Sequence, residues 1–473
     1  MDNIGRYIRR KCIHFLGEYW MGKTYRFYDQ KQSLLLSPNI KDWLPQGHLA
    51  LFISDIVDEL DITPIYSYYE KEERGAPPYD PRMMTKVLFY AYCTGVQSSR
   101  KIEKKQVEDI GFRYLTANNF PNFRTISDFR KIHIDTLEHF FVQVLLLCEE
   151  AGLVKLGTVA VDGMKVKANA SLQNSKQHET LCNLEEELRK KVRELLQGAE
   201  RIDEEEDRLF GEDKRGDELP PGFQSQKERL QRIREAKEQL EKKQKQRQQD
   251  YQRNLKERER KEKESGKNLR GRKPHPVSEK PDEHMKANTT DPESRIMKTR
   301  NGFVQGYNGQ AMVETKSQVI VAADLVQDEN DRHQQRPLIE KVKWYLGRLP
   351  EKVAMDAGYW DEQELKELDK EIDLYVATMK DWKERKKIRD QPPPRGRIPK
   401  NMSYKDRMER KLSTKKGKQV YKTRSTSVEP SFGQIQNRGL GRLLLRGLRK
   451  GKGEWLLMCL SHNLLKLWKA QAY

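Results

Sequence analysis

A block of 130 residues, from 171 to 300, is too highly charged to bury much of its own surface. It contains 33 Lys and Arg residues and 29 Asp and Glu residues. Charged side chains are seldom buried without partners, so most of this block has to remain in contact with water. Apolar runs that are typical of strands lie on both sides of it, at 153–168 and from residue 302 onward. The sequence therefore predicts a globular core that is interrupted by a long, solvated insertion.

Within this insertion, a hydrophobic repeat favours two helices. Apolar residues recur every three or four positions over 181–195, and a weaker repeat follows over 230–240, after a turn-rich segment at 211–222. The first arm, 181–220, has a net charge of −6, and the second, 221–280, has a net charge of +10. Helices with facing apolar seams and opposite charge attract each other. We therefore predict an antiparallel, coiled-coil-like helical hairpin in this region.

The segment before the insertion is predicted to be mainly helical. Apolar residues follow a period near 3.6 over 48–61, 81–96 and 136–152. A further helix over 124–135 carries Arg130 and Lys131. These two residues either face a phosphate backbone or only solvate a helical bundle, and the sequence leaves both interpretations open.

The segment after the insertion alternates between strand and helix patterns. Strands are predicted over 302–315, 317–327, 352–356 and 372–379, and helices over 332–346 and from Asp361 onward. A basic, proline-containing stretch at 389–401 precedes a final helical segment from Glu429 to about Trp468. Strands that alternate with helices indicate the α/β class.

Positive charge is concentrated at the C-terminal end of the chain. The net charge of the 473 residues is +19, and residues 381–473 alone, with 25 Lys and Arg against 7 Asp and Glu, carry +18. A surface of this density attracts polyanions, among which nucleic acid gains from counterion release. Anionic membrane fits less well, because the apolar clusters are short and none reaches the length of a membrane span. The charge therefore predicts a nucleic-acid partner and no membrane.

The cysteines and the N-terminal segment indicate a reducing compartment. Cys12, Cys93, Cys148, Cys182 and Cys459 show no CxxC spacing, so neither a zinc ribbon nor a disulfide framework is indicated. No apolar run of signal-peptide length opens the chain. We therefore expect a soluble protein of the cytoplasm.

Three acidic residues stand at points where a site can form. Asp162, in TVAVDGMKVKANAS, and Asp356, in KVAMDAGYW, each follow an apolar strand run and precede small residues. A carboxylate at the end of a strand is rigidly held and leaves room for a ligand, although capping of the next turn is the more ordinary role. Glu429, next to Pro430, is predicted at the start of a helix, where an acid also stabilises the helix dipole.

Several phrases of the sequence resemble the DDE transposases of bacterial insertion sequences. They are VAVDGMKVKANAS, DPESRIMKTRNGFVQGYNGQAMVE, AMDAGYW, VEPSFGQIQNRG and RGLRKGKGEWLLMCLSHNLLKL. The resemblance covers nearly the whole chain. It implies a ribonuclease-H-like mixed-sheet core over 153–171 and 301–473, an N-terminal helical DNA-binding domain over 1–150 and a charged helical-hairpin insertion over 172–300.

The resemblance also implies the residues of the site. Asp162, Asp356 and Glu429 would be the catalytic acids and the ligands of two Mg²⁺ or Mn²⁺ ions, which activate the attacking oxygen and stabilise the leaving one. Gln436 stands where the family usually has a lysine. The residues implied in DNA binding are Tyr421, Arg424, Arg438, Arg442 and Arg446.

Two further phrases have alternative interpretations. In GYNGQ (306–310), Tyr307 and Asn308 would brace the site near Asp162, or the glycines would force a tight bend. In the last helix, His462 and Asn463 are interpreted as packing or capping residues.

The function implied is DNA transposition. The protein would bind the terminal inverted repeats of a mobile element, cleave its ends and transfer them into target DNA. The resemblance implies double-stranded DNA and a second copy of the chain as partners, in the nucleoid of a bacterial cytoplasm. Two alternatives remain open, namely a DNA nuclease or resolvase of the same fold without strand transfer, and an inactive DNA-binding relic.

Overall fold

The computed structural model describes residues 39–70, 77–210, 223–266, 275–278, 280–282, 284–379, 392–394, 396–397, 399 and 401–471. The chain divides into two compact units, residues 1–43 and 44–473. In the first unit, the described residues form a short 3-10 helix, Ile40–Trp43. The other elements described belong to the second unit.

Helices α1 to α7 precede the first strand. They are α1 (Leu49–Glu59), α2 (Thr63–Tyr69), α3 (Pro81–Cys93), α4 (Ser99–Glu108), α5 (Ile110–Thr116), α6 (Phe123–Ile132) and α7 (Thr136–Glu150). Helix α3 begins at Pro81 because the carboxylate of Asp80 accepts hydrogen bonds from the N–H groups of Arg82 and Met83. The apolar faces of these helices pack into the main core. The predicted helices over 48–61, 81–96 and 136–152 are confirmed.

Arg130 on α6 neither solvates the helices nor faces a phosphate backbone, contrary to both interpretations of its sequence. Its side chain is 4% exposed, and Nη1 donates to the Tyr92 hydroxyl and the Gln97 carbonyl, each at 3.0 Å. The same nitrogen lies 3.9 Å from Glu454 Oε1, to which Tyr92 donates at 2.9 Å. A buried charge needs such partners, so Arg130 is a structural residue. Lys131 is exposed and contacts Asp128.

The sheet of the core is mixed. Its six strands are β1 (Thr158–Lys167), β4 (Arg295–Thr299), β5 (Gly302–Glu314), β6 (Ile320–Val326), β7 (Lys352–Met355) and β8 (Asp373–Val376), and β2 (Ser175–Gln177) and β3 (Lys286–Asn288) form a separate pair. The order in the sheet is β4-β5-β1-β7-β8, and β6 pairs with β5 further along that strand than β4 does. Strand β5 is antiparallel to β1, β4 and β6, whereas β1, β7 and β8 are parallel. The predicted α/β class with a mixed sheet is confirmed.

The charged insertion contains two long helices, α8 (His178–Phe210) and α9 (Phe223–Ser265). Two contacts show that they run in opposite directions. His178 contacts Glu241, whereas Glu185, further along α8, contacts Arg234, which comes earlier in α9. Their buried apolar side chains form a small cluster that is separate from the main core. Strands β2 and β3 pair with each other where the chain enters and leaves the insertion. The predicted antiparallel pair of helices is therefore present.

The helix that carries Glu429 begins earlier than predicted. Helices α10 (Gln335–Leu346), α11 (Glu362–Leu368), α12 (Tyr404–Ser413) and α13 (Lys415–Asn437) follow the insertion. Thr414 caps α13 by accepting from the Gly417 N–H, so Glu429 lies well inside the helix and the predicted start there is wrong. Pro430 also lies inside α13, where its missing N–H deprives the Thr426 carbonyl of a helical partner. The Gln318 side-chain amide donates to that carbonyl at 3.1 Å and replaces the lost bond.

The last helix, α14 (Leu448–Gln471), is buried along most of its length and packs against α3, α7 and β6. His462 Nε2 lies 2.8 Å from the Gln318 carbonyl oxygen. The Asn463 amide bonds the backbone N–H and C=O of Ile320, each at 2.8 Å. The packing roles predicted for His462 and Asn463 are confirmed. Among the described residues, no helix combines the length and the apolarity that crossing a bilayer requires.

Candidate active site

Two of the predicted acids, Asp162 and Asp356, are neighbours on adjacent strands. Strand β1 pairs with β7 up to Val161 and Met355, so Asp162 and Asp356 directly follow the last pair of residues. Strand β7 ends there, whereas β1 continues to Lys167 because it pairs with β5. The predicted position at a strand end therefore holds for Asp356 and is wrong for Asp162, which lies in mid-strand.

Asp162 is largely buried and surrounded by charge. Arg424 Nη1 is 2.6 Å from its Oδ2, and the Gly163 N–H donates to its Oδ1 at 2.9 Å. Burial raises the pKa of Asp162 to about 6, and the negative charges of Asp356 and Asp331 act in the same direction against the effect of Arg424. The carboxylates at this point of the sheet therefore repel one another unless positive charge is supplied.

Asp356 is fixed by the turn that follows it. Its Oδ1 accepts a hydrogen bond from the Gly358 N–H at 2.7 Å, which starts a short 3-10 turn, Ala357–Tyr359. The turn buries Tyr359 completely. The Tyr359 hydroxyl donates to the side-chain oxygen of Gln310 on β5, so the turn is anchored to the sheet beneath the acids.

Glu429, the third predicted acid, is connected to the other two through Arg424. Arg424 Nη2 lies 3.6 Å from Glu429 Oε1, while Nη1 of the same guanidinium binds Asp162. The side chain of Glu429 is 56% exposed, whereas that of Asp162 is 19% exposed. The structure thus brings Asp162 and Asp356 together directly and brings Glu429 to Asp162 across one guanidinium.

Tyr421, Arg442 and Arg446, which were predicted to bind DNA, lie in two places. Tyr421 is one turn before Arg424 on α13, and its buried hydroxyl has no hydrogen-bond partner in the part of the chain that the structure describes. Arg442 and Arg446 are exposed beyond the end of β1. Each contacts Asn169 at 3.2 Å, one through the side-chain oxygen and the other through the backbone carbonyl.

Arg438 is not brought to the acids. Its Nη1 donates to the Ser461 carbonyl of α14 at 3.4 Å, and its guanidinium faces the buried Cys93 and Cys459. Burial in these surroundings lowers the pKa of Arg438. Arg438 therefore packs α13 against α14.

Two family models match parts of the chain. One described as Transposase domain (DUF772) matches residues 38–132, and one described as Transposase DDE domain matches residues 392–468. Together, the two matches support a DDE transposase of the insertion-sequence type. No curated protein and no solved structure matches the chain. The second match includes Arg424 and Glu429, whereas Asp162 and Asp356 lie outside both matches.

A further acid, Asp331, lies near Asp162 and Asp356 and was not predicted from the sequence. It belongs to the loop between β6 and α10. Its Oδ1 accepts hydrogen bonds from the side-chain amides of Asn308 and Gln310, each at 2.7 Å, and lies 3.6 Å from Lys165 Nζ. An aspartate just before a helix is an ordinary capping residue, so no local signal distinguishes Asp331 from one.

Tyr307 and Asn308 belong to opposite faces of β5. Asn308 braces Asp331, whereas the Tyr307 hydroxyl donates to Asp291 at 2.8 Å. The alternative of a tight bend is wrong, because this segment stays within β5. Gly309 instead leaves room for the ring of Trp455, which a side chain at this position would crowd.

The residue types of this site suit a hard divalent cation. Carboxylate oxygens are the ligands that Mg²⁺ and Mn²⁺ prefer, and a cation would relieve the repulsion around Asp162. Within the described residues, however, no group of three or more His, Cys, Asp or Glu side chains is arranged to hold a metal ion. The Arg424 guanidinium lies between Asp162 and Glu429 and supplies positive charge there.

Proposed function

We propose that this transposase binds the terminal inverted repeats of its element, cleaves the DNA at the element ends and joins the freed 3′ ends to target DNA. Asp162, Asp356 and Glu429 are its catalytic acids, in a ribonuclease-H-like core. One observation carries the proposal. Three acids that are far apart in sequence converge on one sheet position, two through strand register and the third through Arg424.

The three acids have different parts in this proposal. Asp162 and Asp356 are held by strands and by backbone hydrogen bonds, so they form the rigid side of the site. Glu429 is exposed on helix α13 and is connected to Asp162 through Arg424. Two Mg²⁺ or Mn²⁺ ions bound by these carboxylates would activate the attacking oxygen and stabilise the leaving one. Arg424 would then exchange its carboxylate partners for the phosphate of the DNA, which is an equally good partner for a guanidinium.

A surface beyond the end of β1 suits a DNA backbone. Arg442 and Lys167 line a groove of about 410 Å³ in which the ring of Phe303 is exposed. Cations next to an exposed aromatic ring are typical of nucleic-acid binding. We therefore propose that DNA runs along Arg442 and Arg446, with Tyr421 as a contact that only the family resemblance implies. We leave Arg438 out of this surface because its guanidinium points inward.

The remaining parts of the proposal follow from the family resemblance. The N-terminal helical domain, 1–150, would recognise the element ends, and the insertion, 172–300, would contact DNA or a second subunit. A homodimer would hold the two ends of the element together on double-stranded DNA, in the cytoplasm of a bacterium. Each of these statements is a proposal about the assembled complex.

The test is a strand-transfer assay with duplexes that carry the element ends, a target plasmid and Mg²⁺. We expect the wild-type chain to cleave the ends and join them to the plasmid. Asp356→Asn should abolish both steps while binding of the ends persists, and Glu362→Gln, an exposed acid on the neighbouring helix α11, should leave both unchanged. Cleavage without joined products would instead identify a nuclease or resolvase of this fold.

One observation favours the second candidate, an inactive DNA-binding relic. Gln436 replaces the lysine that the family usually has, and its side-chain amide contacts Met164 Sδ at 3.0 Å. If wild type and Asp162→Asn bind the ends equally and neither cleaves them in Mg²⁺ or Mn²⁺, the relic is the correct description. Restoring cleavage with Gln436→Lys would then trace the loss of activity to this position.

A further inference from the structure

Asp331 faces the same small space as Asp162 and Asp356. A Cβ on Gly163, the residue after Asp162, would collide with Asp331 Oδ1. A Cβ on Gly358 would lie 2.9 Å from Asp356 Oδ1 and 3.2 Å from Asp331 Oδ2. The absence of side chains at these two glycines therefore leaves room for Asp331 beside both acids.

The two oxygens of Asp331 have different surroundings. Oδ1 receives the amides of Asn308 and Gln310 and the ammonium of Lys165. Oδ2 faces Gly358 and Asp356, and the described residues offer it no hydrogen bond. A carboxylate that is oriented through one oxygen leaves its other oxygen free to coordinate a cation beside the acids.

A buried acceptor next to Asp331 indicates that a ligand belongs here. Asn308 is 0% exposed, and its side-chain oxygen has no hydrogen-bond partner among the described residues. A Cβ on Gly163 would be 2.9 Å from that oxygen, so the acceptor borders the acids. Buried polar atoms are nearly always satisfied, and an orphan of this kind is expected to bind an ion or an ordered water.

We propose that Asp331 is a further carboxylate ligand of the divalent-cation site, with Oδ2 as its donor and with Asn308 and Gln310 as the residues that position it. The inference rests on the proposed function, since it assigns another ligand to the same site. The cation is a hard one, Mg²⁺ or Mn²⁺, because all the donors are oxygens.

The first test measures Mn²⁺ binding to the full-length chain by titration calorimetry. Asp331→Asn keeps the size of the side chain and an acceptor for Asn308, and it should weaken Mn²⁺ binding about 10-fold or more. Asp328→Asn is the matched control, because Asp328 is exposed in the same loop and contacts only Gln334 among the described residues. The control should bind Mn²⁺ as wild type does. Equal affinity of Asp331→Asn and wild type would overturn the inference.

The second test uses Asp331→Cys, because a thiolate favours softer metals than a carboxylate does. We expect this variant to lose end cleavage in Mg²⁺ and to recover it in Mn²⁺ or Cd²⁺, relative to wild type in the same metals. A merely structural Asp331 would give the same metal preference as wild type, and that result would also overturn the inference. If Asp331→Asn weakens Mn²⁺ binding while wild type cleaves no DNA, the inference stands and the proposed function fails.

Discussion

At the scale of single residues, the arrangement of the acids depends most on Arg424. Its guanidinium contacts Asp162 and Glu429 through different nitrogens, and it is largely buried in doing so. Guanidinium is planar and can bind two carboxylates in fixed directions, whereas an ammonium is a single point charge. Arg424 therefore determines the direction from which Glu429 approaches the sheet.

The substitution Arg424→Lys tests this role, because it retains the charge and removes the planar bridge. We expect the cleavage rate to fall about 100-fold, since displacing a reacting group by about 1 Å costs that much. Binding of the element ends should change less than threefold. Arg348→Lys, at an exposed arginine that pairs with Glu149 outside the proposed DNA surface, is the control and should cleave as wild type does. Equal cleavage by both variants would contradict the role given to Arg424.

His462 predicts how stability depends on pH. Burial lowers the pKa of His462 to about 3, and the nearby cations Lys466 and Arg438 act in the same direction. Between pH 6.5 and 3 the unfolded chain binds a proton that the folded chain does not bind, so this residue stabilises the fold above pH 6.5 and the stabilisation is lost as pH falls. The slope is at most about 1.4 kcal/mol per pH unit.

His462→Gln should therefore reduce the loss of stability between pH 6.5 and 5, measured as the free energy of unfolding in urea. His284→Gln is the control, because His284 is exposed. The comparison uses the slope against pH, so a constant cost of the substitution does not affect it. Identical slopes for wild type and His462→Gln would show that another group causes the acid sensitivity.

At the scale of elements, two glycines show how differently α13 and α14 are packed. A Cβ on Gly453 of α14 would collide with the side chain of Ile134 and lie 2.8 Å from its carbonyl oxygen. A Cβ on Gly433 of α13 would have no atom within 4 Å. Both residues are helical, so the helix propensity gained by alanine is the same and only the surroundings differ.

This contrast gives a paired prediction for unfolding experiments. Gly453→Ala should lower the free energy of unfolding by about 1–3 kcal/mol, because α14 has to move away from the residue before α7. Gly433→Ala should raise it by up to about 1 kcal/mol through helix propensity. Thermal melting of the two variants beside wild type measures both effects. An unchanged Gly453→Ala would show that α14 is packed differently, and a destabilised Gly433→Ala would show the same for α13.

At the scale of the whole molecule, one hydrophobic core joins the N-terminal helices to the end of the chain. The buried contact of Arg130 with Tyr92 and Glu454 lies within this core. Arg130 is inside the first family match and Glu454 inside the second. Glu454 also accepts from the N–H groups of Leu444 and Leu445, next to Arg442 and Arg446. Contacts of Glu454 therefore link the helices at residues 49–150 to the proposed DNA surface.

Removing one member of this buried contact should destabilise the entire core. Arg130→Met leaves Glu454 buried without its cation, at a cost of about 3–5 kcal/mol in the free energy of unfolding. Lys131→Met, at the exposed neighbouring position, should change it by less than about 0.5 kcal/mol. Urea unfolding followed by tryptophan fluorescence measures both values. A small effect of Arg130→Met would show that this buried contact contributes little to the stability of the core.

The parts of the site that depend on local chemistry could be predicted from the sequence. Apolar, β-branched runs before Asp162 and Asp356 predict strands, and parallel pairing of such strands brings the residues that follow them together. The strand pattern predicted over 153–168 includes the whole of β1, in which Met164 and Val166 alternate with lysines, but Asp162 was wrongly placed at the end of the strand. The partner of β1, β5, lies beyond the insertion, so strand pairing decided what the local pattern left ambiguous.

Other parts depend on partners that are distant in sequence. Pro430 predicted a helix start, and it is tolerated inside α13 because Gln318 bonds the carbonyl that it leaves free. Arg130 has the sequence context of a surface arginine, and its partner Glu454 is near the other end of the chain. Asp331 resembles a capping residue until β5 supplies Asn308 and Gln310. Each of these features is a property of the fold and of no single segment.

The short β2–β3 ladder brings the two ends of the insertion close together. Ser175 to Gln177 pair with Lys286 to Asn288, so the polypeptide departs and returns about 4.8 Å apart, the spacing of adjacent strands. An insertion whose two ends lie this close together can be lengthened, shortened or exchanged without stretching the rest of the fold. The β2–β3 ladder is therefore also a suitable position for inserting a reporter domain whose own termini lie close together.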